Sequence, residues 1–88
     1  METFMVERSL KGISMGDLGA AQKAAISTAA DMTKQGTPIS YLRSTFVPET
    51  GACMCLFNAD SAAAVKTLNE KAKLPFNRIV KAMDLTPA

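Results

Sequence analysis

The centre of the chain has the pattern of a β-hairpin, and this feature constrains the fold more than any other. Two apolar runs, Ile39 to Val47 and Ala52 to Asn58, are rich in strand-forming residues and lie close together in the sequence. The segment Pro48-Glu49-Thr50-Gly51 separates them, and proline and glycine suit a tight turn. We therefore expect two adjacent antiparallel strands here, around which every other element has to be arranged.

A strand and a helix are predicted before the hairpin. Residues Phe4 to Leu10 form a short run of strand-forming residues. Ser14 can cap the start of a helix, and Asp17 would lie in its first turn, where the helix dipole favours a negative charge. A glycine and a proline within the turn at 35–38 would end this helix. Apolar residues recur in it at steps of three and four: Leu18, Ala21, Ala25, Ala29 and Met32.

A second helix and a final strand are predicted after the hairpin. Asp60 or Ser61 can cap this helix, and Leu74-Pro75 would interrupt it. The run from Arg78 to Leu85 is the fourth strand. The order strand, helix, strand, strand, helix, strand is that of the α+β ferredoxin-like fold, in which two helices cover one face of a four-stranded antiparallel sheet. The length of 88 residues fits one domain, 1–88.

The strands carry apolar residues on both of their alternating sets, so both faces of the sheet require cover. Because two helices can hide only one face, we expect a second subunit to cover the other, giving a homodimeric α+β barrel. The alternative is that short strands simply tolerate some exposed apolar residues. The opposed sets are Phe4 and Val6 against Met5, Leu42 and Phe46 against Ile39, Tyr41 and Val47, and Cys55 and Phe57 against Met54 and Leu56.

Charge and composition exclude several classes of function. The formal net charge is only +2, and the basic residues are scattered, so no nucleic-acid interface is expected. No apolar run approaches the length of a signal peptide or of a membrane span, so we expect a cytoplasmic protein without a membrane partner. The chain has no histidine, which removes the commonest general base and the commonest transition-metal ligand.

Four polar residues within the strands are candidates for a ligand-binding site. Alternation could place Glu7, Tyr41, Arg43 and Lys81 on the sheet face opposite the helices. An arginine beside a carboxylate can hold a polar or acidic ligand, and a tyrosine can donate a proton or stack on a ring. The alternative is a structural ion pair between glutamate and arginine at a dimer seam.

Cys53 and Cys55 are the candidate metal ligands. One residue separates them within a strand, so both sulfurs lie on one face, and such a pair could share a thiophilic metal. The same spacing is poor for an unstrained disulfide, and we expect reduced thiols. The alternative is that both cysteines pack as small apolar residues against the helices.

Four segments together resemble a family of small bacterial proteins that is classed as a domain of unknown function and typified by a nickel-binding, ferredoxin-like dimer. The resemblance implies a homodimer and, for some relatives, nickel at the dimer surface. Since nickel favours imidazole among protein ligands, this chain would have to use carboxylates, backbone atoms or thiolates such as Cys53 and Cys55, which makes nickel a doubtful cofactor. The segments are Val6-Glu7-Arg8, Leu42-Arg43-Ser44, Cys55-Leu56-Phe57 and Leu74-Pro75-Phe76-Asn77-Arg78-Ile79.

These observations leave three functions open. The first is a non-catalytic dimer that binds or sequesters a metal ion or a small ligand. The second is a cofactor-independent enzyme of the dimeric α+β barrel type, a monooxygenase or isomerase in which Tyr41, Arg43 and Glu7 perform the acid–base chemistry. The third is a structural interaction module that needs no pocket.

Overall fold

Six elements follow one another in the predicted order, strand, helix, strand, strand, helix, strand. The structure is a computed structural model that describes residues 1–87. The fold is therefore the predicted α+β ferredoxin-like arrangement. The elements are β1 (Glu2–Ser9), α1 (Met15–Lys34), β2 (Ile39–Val47), β3 (Ala52–Ala59), α2 (Ala62–Lys71) and β4 (Arg78–Lys81).

The four strands form one antiparallel sheet in the order β2-β3-β1-β4. β1 lies beside β3 with Val6 opposite Cys55, and beside β4 with Val6 opposite Ile79. The predicted fourth strand was too long, because pairing stops at Lys81 instead of continuing to Leu85. The Ala82 amide still donates a hydrogen bond to the Thr3 carbonyl of β1 at 3.0 Å. The chain then leaves the sheet edge, since Asp84 pairs with Arg43 on β2, at the opposite edge of the sheet.

Serine caps begin both helices. The Ser14 hydroxyl accepts a hydrogen bond from the Asp17 amide at 3.1 Å, and the Ser61 hydroxyl accepts one from the Ala64 amide at 3.2 Å. The first cap was predicted, and the second is one of the two predicted alternatives. None of the helices within residues 1–87 has the length and apolarity needed to cross a membrane.

Both helices pack on the same face of the sheet. On β1 and β3 this face presents Val6, Phe57 and their alternate neighbours, and on α1 it presents Ala25 and Ala29. Alanine lets the helix axis approach the sheet closely because it has no side chain beyond Cβ. The buried apolar core consists of Phe4, Val6, Ala25, Ala29, Met32, Ile39, Cys53, Cys55, Phe57, Ala59, Val65 and Leu68.

A β-bulge in β2 changes which of its side chains face the helices. The register with β3 shifts between Tyr41 and Arg43, so Tyr41 pairs with Phe57 and Phe46 pairs with Cys53. Tyr41 and Phe46 therefore share the helix-side face, and the prediction that they lie on opposite faces was wrong. An inserted residue on one strand reverses the alternation beyond it.

The other face of the sheet carries apolar side chains with no helix over them. Met5, Met54 and Leu56 point away from the helices, since they alternate with buried neighbours, and each is half-buried. Val80 pairs with Met5 and extends this surface onto β4. Apolar residues on both alternating sets were predicted for β1 and β3, and the structure confirms them there.

The hairpin turn lies against the loop that follows β1. The Leu10 amide donates a hydrogen bond to the Gly51 carbonyl at 2.7 Å. Gly51 has φ +81°, and a Cβ at this position would lie 2.4 Å from backbone atoms of Lys11. Only glycine permits both this backbone conformation and this approach. The contact fixes the loop that carries Leu10 and Ile13, which form one wall of the cavity described next.

Candidate functional site

A cavity of about 300 Å³ lies between the first half of α1 and the sheet. It exists because Gly19, Ala21 and Ala25 give α1 a wall of small residues there, which leaves the space above the sheet unfilled. Most of the lining is apolar. The lining residues are Arg8, Leu10, Ile13, Met15, Leu18, Gly19, Ala21, Gln22, Ala25, Tyr41, Ser44, Phe46, Cys53, Cys55, Leu74 and Pro75.

A chain of hydrogen bonds links four of the lining residues. Gln22 Nε2 donates to Tyr41 Oη at 3.1 Å, and Tyr41 Oη lies 2.7 Å from Ser44 Oγ. Ser44 Oγ in turn donates to Cys55 Sγ at 2.9 Å. Because the single Ser44 proton is used in that bond, Tyr41 must be the donor to Ser44. The hydroxyl groups are thus oriented in one direction, from α1 towards the thiols.

The bulge in β2 and an aromatic contact position Tyr41. The Tyr41 and Phe57 rings meet edge to face, with centroids 5.6 Å apart and an interplanar angle of 73°. This contact holds the tyrosine ring on the helix side, where its hydroxyl can reach Gln22 and Ser44. Without the bulge, Tyr41 and Ser44 would lie on opposite faces and could not share a hydrogen bond in this way.

Arg8 is the only charged lining residue, and it is 5% exposed. Its Nη1 donates to Asn69 Oδ1 at 2.8 Å and to the Pro75 carbonyl at 3.0 Å. Asn69 is itself anchored, since its Nδ2 donates to the Val65 carbonyl at 2.8 Å. The second terminal nitrogen of Arg8, Nη2, is buried and has no hydrogen-bond partner among the described residues.

The two cysteines are buried free thiols whose sulfurs lie 3.8 Å apart. Burial is the largest cause that raises the pKa of the Cys53 thiol to about 11, and the neighbouring Cys55 adds to it. The positive charge of Arg8 acts in the opposite direction and lowers this pKa, without cancelling the rise. Cys53 is therefore a neutral thiol at neutral pH, which is the state that packs in an apolar core.

The donor set around the cysteines does not match nickel. Within residues 1–87, no group of three or more histidine, cysteine, aspartate or glutamate side chains is placed to hold a metal ion. Nickel favours imidazole nitrogen and square-planar arrangements of several ligands, whereas this place offers two thiols. Metal binding also needs the thiolate, and the raised pKa of Cys53 opposes its formation. A metal at Cys53 and Cys55 stays a prediction.

The structure does not bring the four predicted ligand-binding residues together. Glu7 and Arg43 lie on the uncovered face, where Glu7 pairs with Arg78 and Arg43 pairs with Asp84. Tyr41 lies on the helix side, in the wall of the cavity.

The fourth predicted residue, Lys81, lies at the edge of the sheet. It pairs with Phe4, a helix-side residue, and its Nζ lies 3.1 Å from a carboxylate oxygen of Glu2. The expectation that all four residues share the face opposite the helices was wrong for Tyr41 and Lys81. The bulge accounts for the tyrosine, and the register of β4 accounts for the lysine.

The most distinctive polar residue of the cavity was not among the predicted site residues. Arg8 follows Phe4 and Val6 at the same two-residue spacing, so alternation alone places its side chain on the helix-covered face. A charged residue in the buried set of a strand is unusual and is a signal of a special role. That signal was present in the sequence.

Comparisons with known proteins agree with the fold and identify the family. The model of a family described as nickel responsive protein SCO4226-like matches residues 4–81. The crystal structure of SCO4226 from Streptomyces coelicolor A3(2) superposes with a TM-score of 0.79 at 24% identity, over 96% of this chain and 99% of that one. No curated protein matches. The predicted resemblance to a small bacterial family is confirmed, and the chain belongs to the family described as nickel responsive protein SCO4226-like.

Proposed function

We propose that this protein is a non-catalytic, homodimeric binding protein that encloses a small organic molecule between α1 and the sheet. The observation that carries the proposal is the cavity of about 300 Å³. Its volume lies at the lower end of the range for small-molecule sites, and such sites combine an apolar lining with a few placed polar groups. This cavity has that composition, with Arg8, Tyr41 and Ser44 among apolar neighbours.

The chemistry of the lining favours binding over catalysis. The lining contains no carboxylate or imidazole that could act as a general base. Burial and the raised pKa hold Cys53 as a thiol, which is a weak nucleophile. The acid–base trio expected for an enzyme also cannot meet one substrate, because Glu7 and Arg43 lie on the other face from Tyr41.

The uncovered face of the sheet supports the homodimer. Met5, Met54 and Leu56 form the centre of this face, and the ion pair between Glu7 and Arg78 lies beside them. An apolar centre with a charged edge is the usual composition of a protein interface. Two copies related by a two-fold axis would bury this surface on both subunits at once, and the result is a dimeric α+β barrel.

Matched leucine substitutions in α1 test the binding proposal. Ala21 lines the cavity, and a leucine there would occupy part of its volume. Ala20 is the next residue of the same helix, is exposed and does not line the cavity, so Ala20→Leu is the control for the same chemical change. The probes are indole, benzoate, octanoate, octanamide and 1-hexanol, added to labelled protein while amide shifts are followed by NMR.

We expect at least one probe to shift amides around the cavity in the wild type and in the Ala20→Leu variant. In the Ala21→Leu variant the same shifts should be lost while the spectrum stays that of a folded protein. Binding that is equally strong in the Ala21→Leu variant would contradict the proposed location. A wild type that responds to none of the five probes would contradict the binding function.

A metal-related role is the second candidate, and the description of the family favours it. Calorimetric titration of nickel chloride into tag-free protein separates the two candidates, since a polyhistidine tag would supply the imidazoles that this chain lacks. From the donor set we expect no heat of binding to Cys53 and Cys55. Heat that disappears when both cysteines are replaced by serine would place nickel there and contradict this expectation.

A further inference from the structure

Arg8 carries a buried positive charge that is held only by neutral groups. Its Nη1 donates to an amide oxygen of Asn69 and to the carbonyl of Pro75. Both acceptors fix the position of the guanidinium group, but neither carries a negative charge. A guanidinium is most stable opposite a carboxylate or phosphate that accepts two parallel hydrogen bonds.

The described part of the chain supplies no anion for this charge. Its ion pairs are formed by Arg43, Arg78 and Lys81, and all of them lie at the sheet edge or on the uncovered face. A buried charge without an opposite charge is strongly unfavourable, so proteins rarely keep one without a function.

The nearby thiols do not remove this imbalance. The pKa of Cys53 is raised to about 11, so at neutral pH the thiol beside Arg8 is uncharged. The balance of charge in the cavity is therefore positive. A neutral ligand would leave it unchanged, whereas an anion would neutralise it.

One nitrogen of Arg8, the charged residue in the cavity lining, has no hydrogen-bond partner among the described residues. Nη2 of Arg8 is fully buried and has no hydrogen-bond partner within residues 1–87. The residue as a whole is 5% exposed and is held in place through Nη1. A buried donor without an acceptor requires an explanation, and an acceptor brought in by a ligand is one. Ser44 and Tyr41 add hydroxyl groups on the β2 side of the same cavity.

We propose that the ligand of this cavity is a small organic acid, whose carboxylate is bound by Arg8 and whose apolar body occupies the space under α1. The inference rests on the proposed binding function and names its ligand class. The apolar walls exclude a second charge on the ligand, since it would have no partner there. The volume equals roughly ten water molecules, which corresponds to a ligand of about ten non-hydrogen atoms.

Octanoate and octanamide are the paired probes, because they have the same apolar body and almost the same shape at the head group. Octanoate is charged at pH 7 and octanamide is neutral. Amide shifts are followed by NMR during titration of each probe into the wild type. We expect octanoate to bind at least tenfold more tightly, with the largest shifts at residues 8, 44 and 53 and small shifts at residues 5 and 54 on the other face.

Substitutions of Arg8 test whether this residue produces the preference. In the Arg8→Met variant, which keeps much of the volume of the side chain, the two probes should bind equally. The Arg8→Lys variant keeps the charge without the forked donors, so it should retain part of the preference. Arg78→Met is the control, since Arg78 is an exposed arginine on the uncovered face and its loss should leave octanoate binding unchanged.

The comparison of the two probes in the wild type needs no variant, so a folding defect in Arg8→Met leaves the test intact. If octanamide binds as tightly as octanoate, the acid is not the ligand class, while binding in the cavity stands. The same conclusion follows if neither probe binds but indole or 1-hexanol does. If none of these molecules binds, the proposed binding function fails as well.

Discussion

On the helix side of the sheet, Val6 and Phe57 are fully buried, whereas their neighbours Met5 and Leu56 on the other side are only half-buried. These four residues belong to the same two central strands, so the backbone and its pairing are shared. The difference arises from what covers each face. The helices cover one, whereas the other has no helix over it and is met only by the chain after β4, whose Asp84 pairs with Arg43 on β2.

The covered face is itself divided. Near α2, Leu68 and Val65 fill the space above the sheet and are fully buried. Near the first half of α1, the residues Gly19 and Ala21 are too small to fill the space above the sheet, and the cavity lies there. The same sheet thus has three different surroundings: a filled core, a cavity with an apolar lining and an apolar face without a helix. The size and polarity of the facing side chains decide which one is present at each place.

The largest effect is expected from removing a side chain from the filled core. Leu68→Ala should lower the free energy of unfolding by about 2–5 kcal/mol, because it leaves a void in a closely packed region. Leu85→Ala is the matched control, and its effect should stay within roughly 0.5 kcal/mol because Leu85 is exposed. Urea unfolding measures both. Equal losses in the two variants would show that the α2 end is not a filled core.

The uncovered face is tested by introducing a charge at its centre. Met54→Lys should convert a dimer at micromolar concentration into a monomer, because burying an unpaired ammonium group at an interface is unfavourable. Sedimentation velocity gives the mass, and far-ultraviolet circular dichroism should show that the fold is kept. Ile26→Lys is the control, since Ile26 is exposed on α1, on the other side of the sheet.

Two results would contradict the interface on this face. A wild type that is monomeric at micromolar concentration would remove the dimer altogether. A Met54→Lys variant that stays dimeric would place the contact between subunits elsewhere on the molecule.

Alkaline pH tests the closed environment around Cys53. The pKa of this thiol is about 11 in the fold against an ordinary value of 9.0, so between these values the folded chain keeps a proton that the unfolded chain has lost. Unfolding then releases a proton, and rising pH favours the unfolded chain. The contribution to stability is complete below pH 9 and is lost as the pH rises towards 11.

The measurement compares urea unfolding of the wild type and of Cys53→Ala from pH 6 to pH 11. Below pH 9 the free energies of unfolding of the two proteins should change with pH in parallel. Above pH 9 the free energy of unfolding of the wild type should fall more steeply than that of the variant. Titrating groups that do not contact Cys53 are common to both proteins and cancel in the difference. Curves that stay parallel up to pH 11 would show that the thiol is not closed off from water.

The sequence predicted the order of elements because that order depends on local signals. Serine caps, apolar periodicity and turn residues act within a few positions, and Ser14 and Gly51 lie where these signals place them. The bulge between Tyr41 and Arg43 depends on how β2 pairs with β3, and no local pattern reports that pairing. The length of β4 similarly depends on a contact distant in sequence, since the chain leaves β1 at the point from which Asp84 reaches Arg43 on β2.

The candidate site divides in the same way. Arg8 could have been identified from alternation with Phe4 and Val6, since a strand carries one set of residues into the core. The cavity could not have been identified from the sequence, because its volume depends on how close α1 lies to the sheet. Tyr41 was selected for its chemistry and does line the cavity, although it reaches it from the face opposite to the one expected. Ligand binding by Glu7, Arg43 and Lys81 stays a prediction.

The smallest effect is expected from the ion pair between Glu7 and Arg78, and it gives the finest test of the two faces. The arginine side chain is 66% exposed in the single subunit, so the coupling measured by a double-mutant cycle should be at most about 1 kcal/mol there. If the dimer forms on this face, the pair loses solvent and its coupling should increase. The cycle, with Glu7→Gln and Arg78→Met, is therefore measured by urea unfolding in the wild type and in the monomeric Met54→Lys background. A coupling that is larger in the wild type would indicate that the pair lies at the dimer interface. Equal couplings would indicate that both residues stay in water and that the interface lies elsewhere.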